Sequence, residues 1–162
     1  MGSHSNEWDI SEGDHHDGQT SLGLDVIHQL TKEGTSSLYV TITLQNGTTL
    51  YEMYDRFSVS VETGKYQLLL TGPATGTLGD SMRNRHDLSG MYFSTPDRDN
   101  DKNNDHCAAT HDRRGGWWFN ACHYVFLNGP WNPENGRWSA PWSPTVRSGT
   151  SVTGTKMMIK RH

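Results

Sequence analysis

The sequence has few apolar residues and no long apolar run. Of its 162 residues, 32% are hydrophobic, which is low for a globular protein even after its 17 glycines are added. No stretch approaches the ~20 consecutive apolar residues of a membrane-spanning helix, so membrane insertion is not expected. The six Trp, six Tyr and four Phe can still bury a core, because each ring hides roughly 150–250 Å². We therefore predict one folded, loop-rich domain.

The sequence also lacks an excess of basic residues. The net charge is −4, whereas binding to a phosphate backbone needs a concentrated basic face, so a nucleic-acid partner is not expected. No signal peptide is visible in the polar start, and residues 1–5 resemble expression-vector sequence. Residues 1–21 show no apolar periodicity, and we predict an irregular lead-in there.

Only two cysteines are present, Cys107 and Cys122. Their spacing fits no zinc template, which leaves a disulfide or two free thiols as the main alternatives, and a disulfide is favoured. Such a bond would favour an oxidising, extracellular compartment. The triplet Asn46-Gly47-Thr48 is a glycosylation sequon at Asn46 and agrees with that location.

Regular secondary structure is predicted mainly in the first half of the chain. Leu22, Val26, Ile27 and Leu30 share one face of a predicted helix over 22–32. Alternating apolar residues predict strands over 37–44, 48–54, 56–61 and 66–70, with a hairpin turn at Asn46-Gly47. A last strand is predicted over 155–160. These segments indicate an antiparallel meander with one helix packed against it.

Residues 72–154 are crowded with Gly, Pro, Asn, Asp and Ser. A loop region of this length is unusual unless it builds a functional site. Trp117 and Trp118 are expected to lie in the core and anchor this region, in preference to stacking on a ligand. We therefore divide the domain, 22–162, into a sheet region (22–71 and 155–160) and a loop-rich site region (72–154).

The densest chemistry lies in residues 95–107, TPDRDNDKNNDHC. Carboxylates and amides occupy alternate positions there, and such oxygen donors are the ligands that Ca²⁺ prefers. An EF-hand is excluded because Asn104 stands where that loop needs Gly and Thr110 where it needs Glu. A calcium loop of another kind is favoured over a solvated acidic turn. The alternating residues are Asp97, Asp99, Asp101, Asn103 and Asp105.

Several motifs together resemble the fibrinogen C-terminal domain family, which includes fibrinogen β and γ chains, ficolins, tachylectins, angiopoietins and tenascins. The motifs are TPDRDNDKNNDHCA, GGWWFNACH, LNG and TKMMIKR, with LGLDVIHQLT, YEMYDRFSV and TGTLGDSM before them. The resemblance runs from about Trp8 to the end, and the family's N-terminal subdomain is absent. It implies an α+β fibrinogen-like fold: a central twisted antiparallel sheet with a helix, and a loop-rich region that binds calcium and ligand.

The resemblance also implies the site residues. Calcium would be held by the carboxylates of Asp99 and Asp101 and the backbone carbonyls of Asn103 and Asp105. Cys107 and Cys122 would form the family's disulfide, next to a cis peptide bond at Ala121-Cys122. The ligand pocket beside them would involve His111, Asn120, Ala121, Cys122 and His123. After LNG the chain lacks a Tyr-Ala-Asp-Gly run that supplies a pocket wall in acetyl-binding members, and Trp131 or Trp138 would substitute for it.

The implied function is recognition and not catalysis, because no nucleophile elbow, zinc template or paired acid motif accompanies the histidines. We expect a secreted, calcium-dependent, lectin-like domain of innate immunity that recognises acetylated sugars or other glycans on microbial surfaces. The alternative is a protein-binding domain that takes a peptide knob or a receptor. Weak single sites would gain strength from a homo-oligomer of the full-length protein.

Overall fold

The computed structural model describes residues 7–14, 20–21, 23–84, 86–110, 115–129, 142–147 and 149–162, and the first two of these ranges as backbone only. Six strands form one antiparallel sheet, in the order β2-β1-β6-β3-β4-β5. One α-helix and one short 3-10 turn, Glu62–Gly64, complete the regular structure of these ranges. The elements are β1 (Glu7–Asp14), β2 (Thr20–Ser21), α1 (Leu24–Thr31), β3 (Ser36–Leu44), β4 (Thr49–Val59), β5 (Leu68–Gly76) and β6 (Val152–Arg161).

The β3–β4 hairpin follows directly from the sequence. Leu38, Val40 and Ile42 alternate along β3, and all three are fully buried. The predicted turn is present: Gly47 adopts φ +86°, a conformation that glycine reaches without strain. The Asn46 side chain accepts a hydrogen bond from the backbone N–H of Thr48 at 2.9 Å. The predicted α+β architecture, an antiparallel sheet with one helix, is confirmed.

The predicted division of β4 into two strands is wrong. A single strand runs from Thr49 to Val59. The alternation of buried residues along β4 changes phase between Tyr54 and Phe57. The register with β5 shifts at the same place, because Tyr54 pairs with Ala74 but Arg56 pairs with Thr71. Such a local irregularity interrupts the period-two pattern without a turn. β5 and β6 are likewise longer than predicted.

The predicted irregular lead-in is also wrong. β1 pairs antiparallel with β6, from Glu7 opposite Lys160 to Asp14 opposite Gly154. A register shift between Asp9 and Ser11 breaks the period-two alternation, which removes the local signal of a strand. Long-range hydrogen bonds to β6 organise this segment. Residues 1–5, assigned above to vector sequence, lie outside the described residues.

Helix α1 packs against the end of β4, where β4 continues beyond its pairing with β3. Thr31 Oγ1 accepts a hydrogen bond from the backbone N–H of Val59 at 3.2 Å, and His28 Nδ1 donates to the Val59 carbonyl at 2.8 Å. These side chains satisfy the backbone at the end of β4 on the side where β3 no longer pairs with it. Ile27 is buried as predicted, but Val26 is 46% exposed, so its placement on the buried face was wrong. No described helix has the length and apolar character to span a membrane.

The loop region shares one core with the sheet. Trp117, Phe119 and Trp142 are fully buried among the strand residues. The indole N–H of Trp142 donates to the Gly79 carbonyl at 2.8 Å, and Thr145 Oγ1 donates to the Leu78 carbonyl at 2.6 Å. Aromatic side chains therefore hold loops that have little regular structure of their own.

Glu52 is a buried carboxyl group on the core side of β4, with 2% of its surface exposed. Its Oε2 accepts a hydrogen bond from the Gly79 N–H at 2.7 Å. Burial raises the pKa of Glu52 above its ordinary value, and the nearby charge of Asp80 adds to this effect. When folding raises the pKa of a carboxyl group, the free energy of unfolding falls as the pH rises and the group ionises.

We predict that Glu52→Gln gains stability over the wild type as the pH rises. Below the ordinary carboxyl pKa both proteins are uncharged here; above the raised pKa of Glu52 only the wild type carries a buried charge. Thermal unfolding between pH 4 and pH 8 measures the difference. The exposed Glu62→Gln removes the same charge and is the control. A constant difference between Glu52→Gln and the wild type at all pH values would contradict the prediction.

Candidate functional site

The acidic loop is built from consecutive side-chain turns. The Asp101 N–H donates to Asp99 Oδ1 at 3.2 Å, the Asn103 N–H to Asp101 Oδ1 at 2.8 Å, and the Asp105 N–H to Asn103 Oδ1 at 3.2 Å. Each bond spans two residues, which is the geometry by which Asp and Asn stabilise turns. The alternation read from the sequence therefore produces a compact loop that gathers oxygen atoms.

Asp101 is the innermost carboxylate of this loop. Its Oδ2 accepts a hydrogen bond from the Cys107 N–H at 2.8 Å, which joins the loop to the disulfide. Burial raises the pKa of Asp101, and the neighbouring charge of Asp99 raises it further. Asp97 differs: it is exposed, Thr95 Oγ1 donates to it at 2.6 Å, and this bond lowers its pKa. Partial burial and the charge of Asp99 both disfavour the ionised form of Asp101, and a bound cation would offset this cost.

The donor set fits a hard cation only if backbone oxygens take part. Among the described residues, no group of three or more His, Cys, Asp or Glu side chains could hold a metal ion. The set implied by the sequence contains two carboxylates, Asp99 and Asp101, with the carbonyls of Asn103 and Asp105. Mixed carboxylate and carbonyl coordination is ordinary for Ca²⁺, so these residues fit that ion and not zinc, which favours nitrogen and sulfur ligands.

The disulfide joins the acidic loop to the segment 120–123. Cys107 and Cys122 are bonded, with their Cα atoms 5.6 Å apart, and the peptide bond Ala121-Cys122 is cis; both predictions are confirmed. Asn103 Nδ2 donates to Cys122 Sγ at 3.2 Å, and the Lys102 N–H donates to the Asn120 carbonyl at 3.0 Å. The position of the segment therefore depends on the conformation of the loop.

The segment 120–123 has a polar side and an aromatic side. Asn120 Nδ2 donates to the Asp87 carbonyl at 2.9 Å, and Ala121 is exposed. The His123 ring lies 5.7 Å from the ring of Phe119 and 5.0 Å from that of Phe126. Polar groups and aromatic rings therefore lie side by side along this segment.

Asn120, Ala121, Cys122 and His123 are consecutive in the chain, and their role in a ligand pocket stays a prediction. His111, Trp131 and Trp138 lie outside the described residues, so their pocket roles stay predictions. Trp117 and Trp118 are confirmed as core residues, with 0% and 3% exposure. The Trp118 indole N–H donates to the Tyr66 carbonyl at 2.7 Å, which ties the disulfide loop to the sheet region.

Two features of the site were missed from the sequence. Asp87 holds Asn120 through its backbone carbonyl, an interaction that leaves no signature in the residue type. His86 stacks on Tyr124 at a ring distance of 5.0 Å, next to His123. Asn46, the predicted glycosylation site, is exposed at the β3–β4 turn.

A cavity of about 260 Å³ lies where the chain enters the acidic loop. Tyr66 and Phe93 form apolar walls, and Lys65 and Arg98 supply charge. Lys65 and Tyr66 adopt φ +56° and +49°, a left-handed conformation that is uncommon outside glycine. Hydrogen bonds to their carbonyls from Phe93 N–H and Trp118 Nε1 hold this turn. The predicted ligand residues that the structure describes, Asn120 to His123, do not line this cavity.

Removal of the disulfide should destabilise the domain without unfolding the sheet. The bond joins residues 15 positions apart, and a loop of that length contributes roughly 3 kcal/mol. We expect the double variant Cys107→Ser/Cys122→Ser to lose about this amount in urea unfolding followed by tryptophan fluorescence. The reduced wild type should behave in the same way. A loss well below ~1 kcal/mol would show that Trp packing alone holds the loop.

Sequence comparison identifies relatives of this chain. The family profile of the fibrinogen beta and gamma chains, C-terminal globular domain, matches residues 4–162. Ryncolin-4 of Cerberus rynchops is 40% identical over 108 residues, 67% of this chain and 30% of that protein. Angiopoietin-related protein 6 of Mus musculus is 39% identical over 115 residues, 71% of this chain and 24% of that protein. The chain thus spans less than a third of the length of these relatives.

Solved structures share the fold. The fibrinogen-like globe domain of human ANGPTL6 superposes with a TM-score of 0.76 at 32% identity, covering 93% of this chain and 68% of that one. Lamprey fibrin D-dimer, complexed with the peptide Gly-His-Arg-Pro-amide, gives a TM-score of 0.76 at 26% identity, covering 97% of this chain and 54% of that one. With its sheet, disulfide and profile match in agreement, the chain belongs to the fibrinogen C-terminal globular domain family.

Proposed function

We propose that this protein is an extracellular, calcium-dependent recognition domain that binds acetylated or other microbial glycans in a lectin-like manner. One observation carries the proposal: the acidic loop and the segment 120–123 are held together by a disulfide and by the Asn103–Cys122 hydrogen bond at 3.2 Å. An ion in the loop would therefore order the ligand-binding segment beside it.

Calcium would be held by the carboxylates of Asp99 and Asp101 and the backbone carbonyls of Asn103 and Asp105. When bound, the ion supplies positive charge that offsets the two carboxylates. The chain itself orients the carboxylate of Asp101. This group accepts hydrogen bonds from the backbone N–H groups of Asn103 and Cys107. The fit of this donor set, two carboxylates with carbonyls, supports Ca²⁺ over transition metals.

The ligand would lie against the segment 120–123. An acetyl group presents one carbonyl oxygen and one methyl, so its site needs a polar donor beside an apolar wall. The exposed residue Ala121 and the His123 ring, packed on Phe119 and Phe126, would offer that combination. His111 and Trp131 would complete the wall.

A protein ligand is the second candidate function. It is supported by the similarity to lamprey fibrin D-dimer in complex with a four-residue peptide. A peptide knob and an acetylated sugar both need a polar group beside an apolar wall, so one site could evolve toward either ligand. In the full-length protein, a homo-oligomer would raise the strength of either interaction by multivalency.

We propose no catalytic role for the described histidines. His106 Nε2 donates to the Thr95 carbonyl at 2.9 Å, His86 stacks on Tyr124, and His123 packs against two phenyl rings. These contacts position loops around the site. The disulfide supports an oxidising, extracellular location.

Calcium binding is tested by a matched pair of substitutions. Asp99→Asn removes an exposed ligand carboxylate, and we expect calcium affinity to fall by roughly tenfold or more in calorimetry. Asp97→Asn removes the same charge two residues earlier, outside the ligand set, and should change affinity by less than about twofold. Calcium should also raise the unfolding temperature of the wild type. Equal losses in both variants would indicate diffuse acidic attraction without a defined site.

Ligand class is tested by titration with N-acetylglucosamine and with an acetylated compound that is not a sugar, in calcium and again in EDTA. Calcium-dependent binding of both is expected, and His123→Ala should weaken it by roughly tenfold. Its control is His28→Ala, a histidine that contacts β4 instead. A folded, calcium-loaded domain that binds neither compound, but binds a Gly-His-Arg-Pro peptide, would favour the protein-ligand function.

A further inference from the structure

A second cavity, of about 270 Å³, lies where α1 ends against β4 and β5. It shares no lining residue with the acidic loop or with the segment 120–123. Arg56 pairs with Thr71 across the two strands, and Ser58 pairs with Leu69, so these four side chains share one face of the sheet. The lining residues are Thr31, Lys32, Gly34, Thr35, Ser36, Arg56, Phe57, Ser58, Leu69 and Thr71.

The charge of this cavity is positive, although the chain as a whole carries −4. Of the residues that the structure describes, Lys32 and Arg56 both line it, and no Asp or Glu does. Within the described part of the chain, neither cation forms an ion pair. Glu33, the nearest acid in sequence to Lys32, lies instead 4.0 Å from Arg161. Two exposed cations without carboxylate partners favour an anionic ligand.

Ser36 adds a polar group without a partner. Its side chain is 3% exposed, and its Oγ is buried with no hydrogen bond among the described residues. Most buried hydroxyl groups in proteins are satisfied, so such an exception calls for a ligand or water. The neighbouring Ser37 hydroxyl, in contrast, pairs with His162 Nε2. Thr31 Oγ1 already bonds to Ile27 and Val59.

The cavity also has an apolar wall. Leu69 is 50% exposed, a high value for a large apolar side chain, and Phe57 also lines the cavity. The volume is larger than an isolated oxyanion requires. An anion attached to a sugar ring would place its charge at the cations and its ring carbons on Leu69.

We propose that this cavity binds a sulfate or phosphate monoester carried on a sugar. The Arg56 guanidinium donates to two of the ester oxygens, since its planar fork matches that geometry. Lys32 adds a point charge, and the Ser36 hydroxyl donates to a third oxygen. This site goes beyond the proposed calcium-dependent function, because none of its groups depends on the acidic loop.

The test uses the whole chain in EDTA, with a sulfated heparin disaccharide, the same disaccharide without sulfate, a sugar phosphate, and inorganic sulfate. Binding is followed by NMR shifts of backbone amides. We expect the charged sugars to shift Ser36, Ser58 and Thr71, and the affinity to fall about tenfold between 20 and 200 mM NaCl. The charged sugar that binds with the higher affinity shows whether the cavity prefers a sulfate or a phosphate ester. Equal binding of the unsulfated disaccharide would overturn the proposal.

Variants separate this cavity from general surface charge. Arg56→Gln should weaken binding of the preferred sugar by tenfold or more, whereas Arg147→Gln, an exposed arginine outside the cavity, should leave it within twofold. Ser36→Ala should weaken binding severalfold while keeping or raising the unfolding temperature, because its hydroxyl has no hydrogen-bond partner among the described residues. Equal losses for Arg56→Gln and Arg147→Gln would overturn the proposal. Asp99→Asn should leave this binding unchanged, which distinguishes it from the calcium-dependent site.

Discussion

Burial of the Trp117-Trp118-Phe119 segment is the constraint on which the loop region depends. These residues lie between the two disulfide-bonded cysteines, and their rings reach the core of the sheet. The Trp118 indole N–H bonds to the Tyr66 carbonyl, so the same segment fixes the turn before β5. A region with little regular structure is thereby held at both ends: covalently at Cys107–Cys122, and by aromatic packing at the sheet.

In the proposed function, the acidic loop belongs to the recognition surface because it is joined to the segment 120–123. Asp101 accepts a hydrogen bond from the Cys107 N–H, and the Asn103 side chain donates one to Cys122 Sγ. A change in the charge of the loop would therefore alter contacts of the segment 120–123. The cavity at the end of α1 is independent of this linkage and carries the opposite charge. A protein with a net charge of −4 can thus present two chemically distinct faces, because local charge decides binding more than the total does.

Several elements could be predicted because their signals are local. The alternation of Leu38, Val40 and Ile42 predicts β3, and Asn46-Gly47 predicts its turn. The disulfide and the cis bond followed from the resemblance to a family. Other elements carried no local signal. β1 is organised by hydrogen bonds to β6, at least 140 residues away. The register shift between Tyr54 and Arg56 made the single strand β4 look like two strands.

By itself, the sequence determined the fold class, the pairing of the cysteines through the family resemblance, and the oxygen-rich character of residues 97–105, since these depend on residue type and short spacing. Only the tertiary structure decided what those residues face. It half-buried Asp101 beside Asp99 and set Asn120 against the Asp87 carbonyl. It also placed Ser36, whose hydroxyl has no partner in the described part of the chain, in the same cavity as Arg56. Such arrangements join residues distant in the chain, and their energies come from desolvation and close packing, which no local pattern encodes.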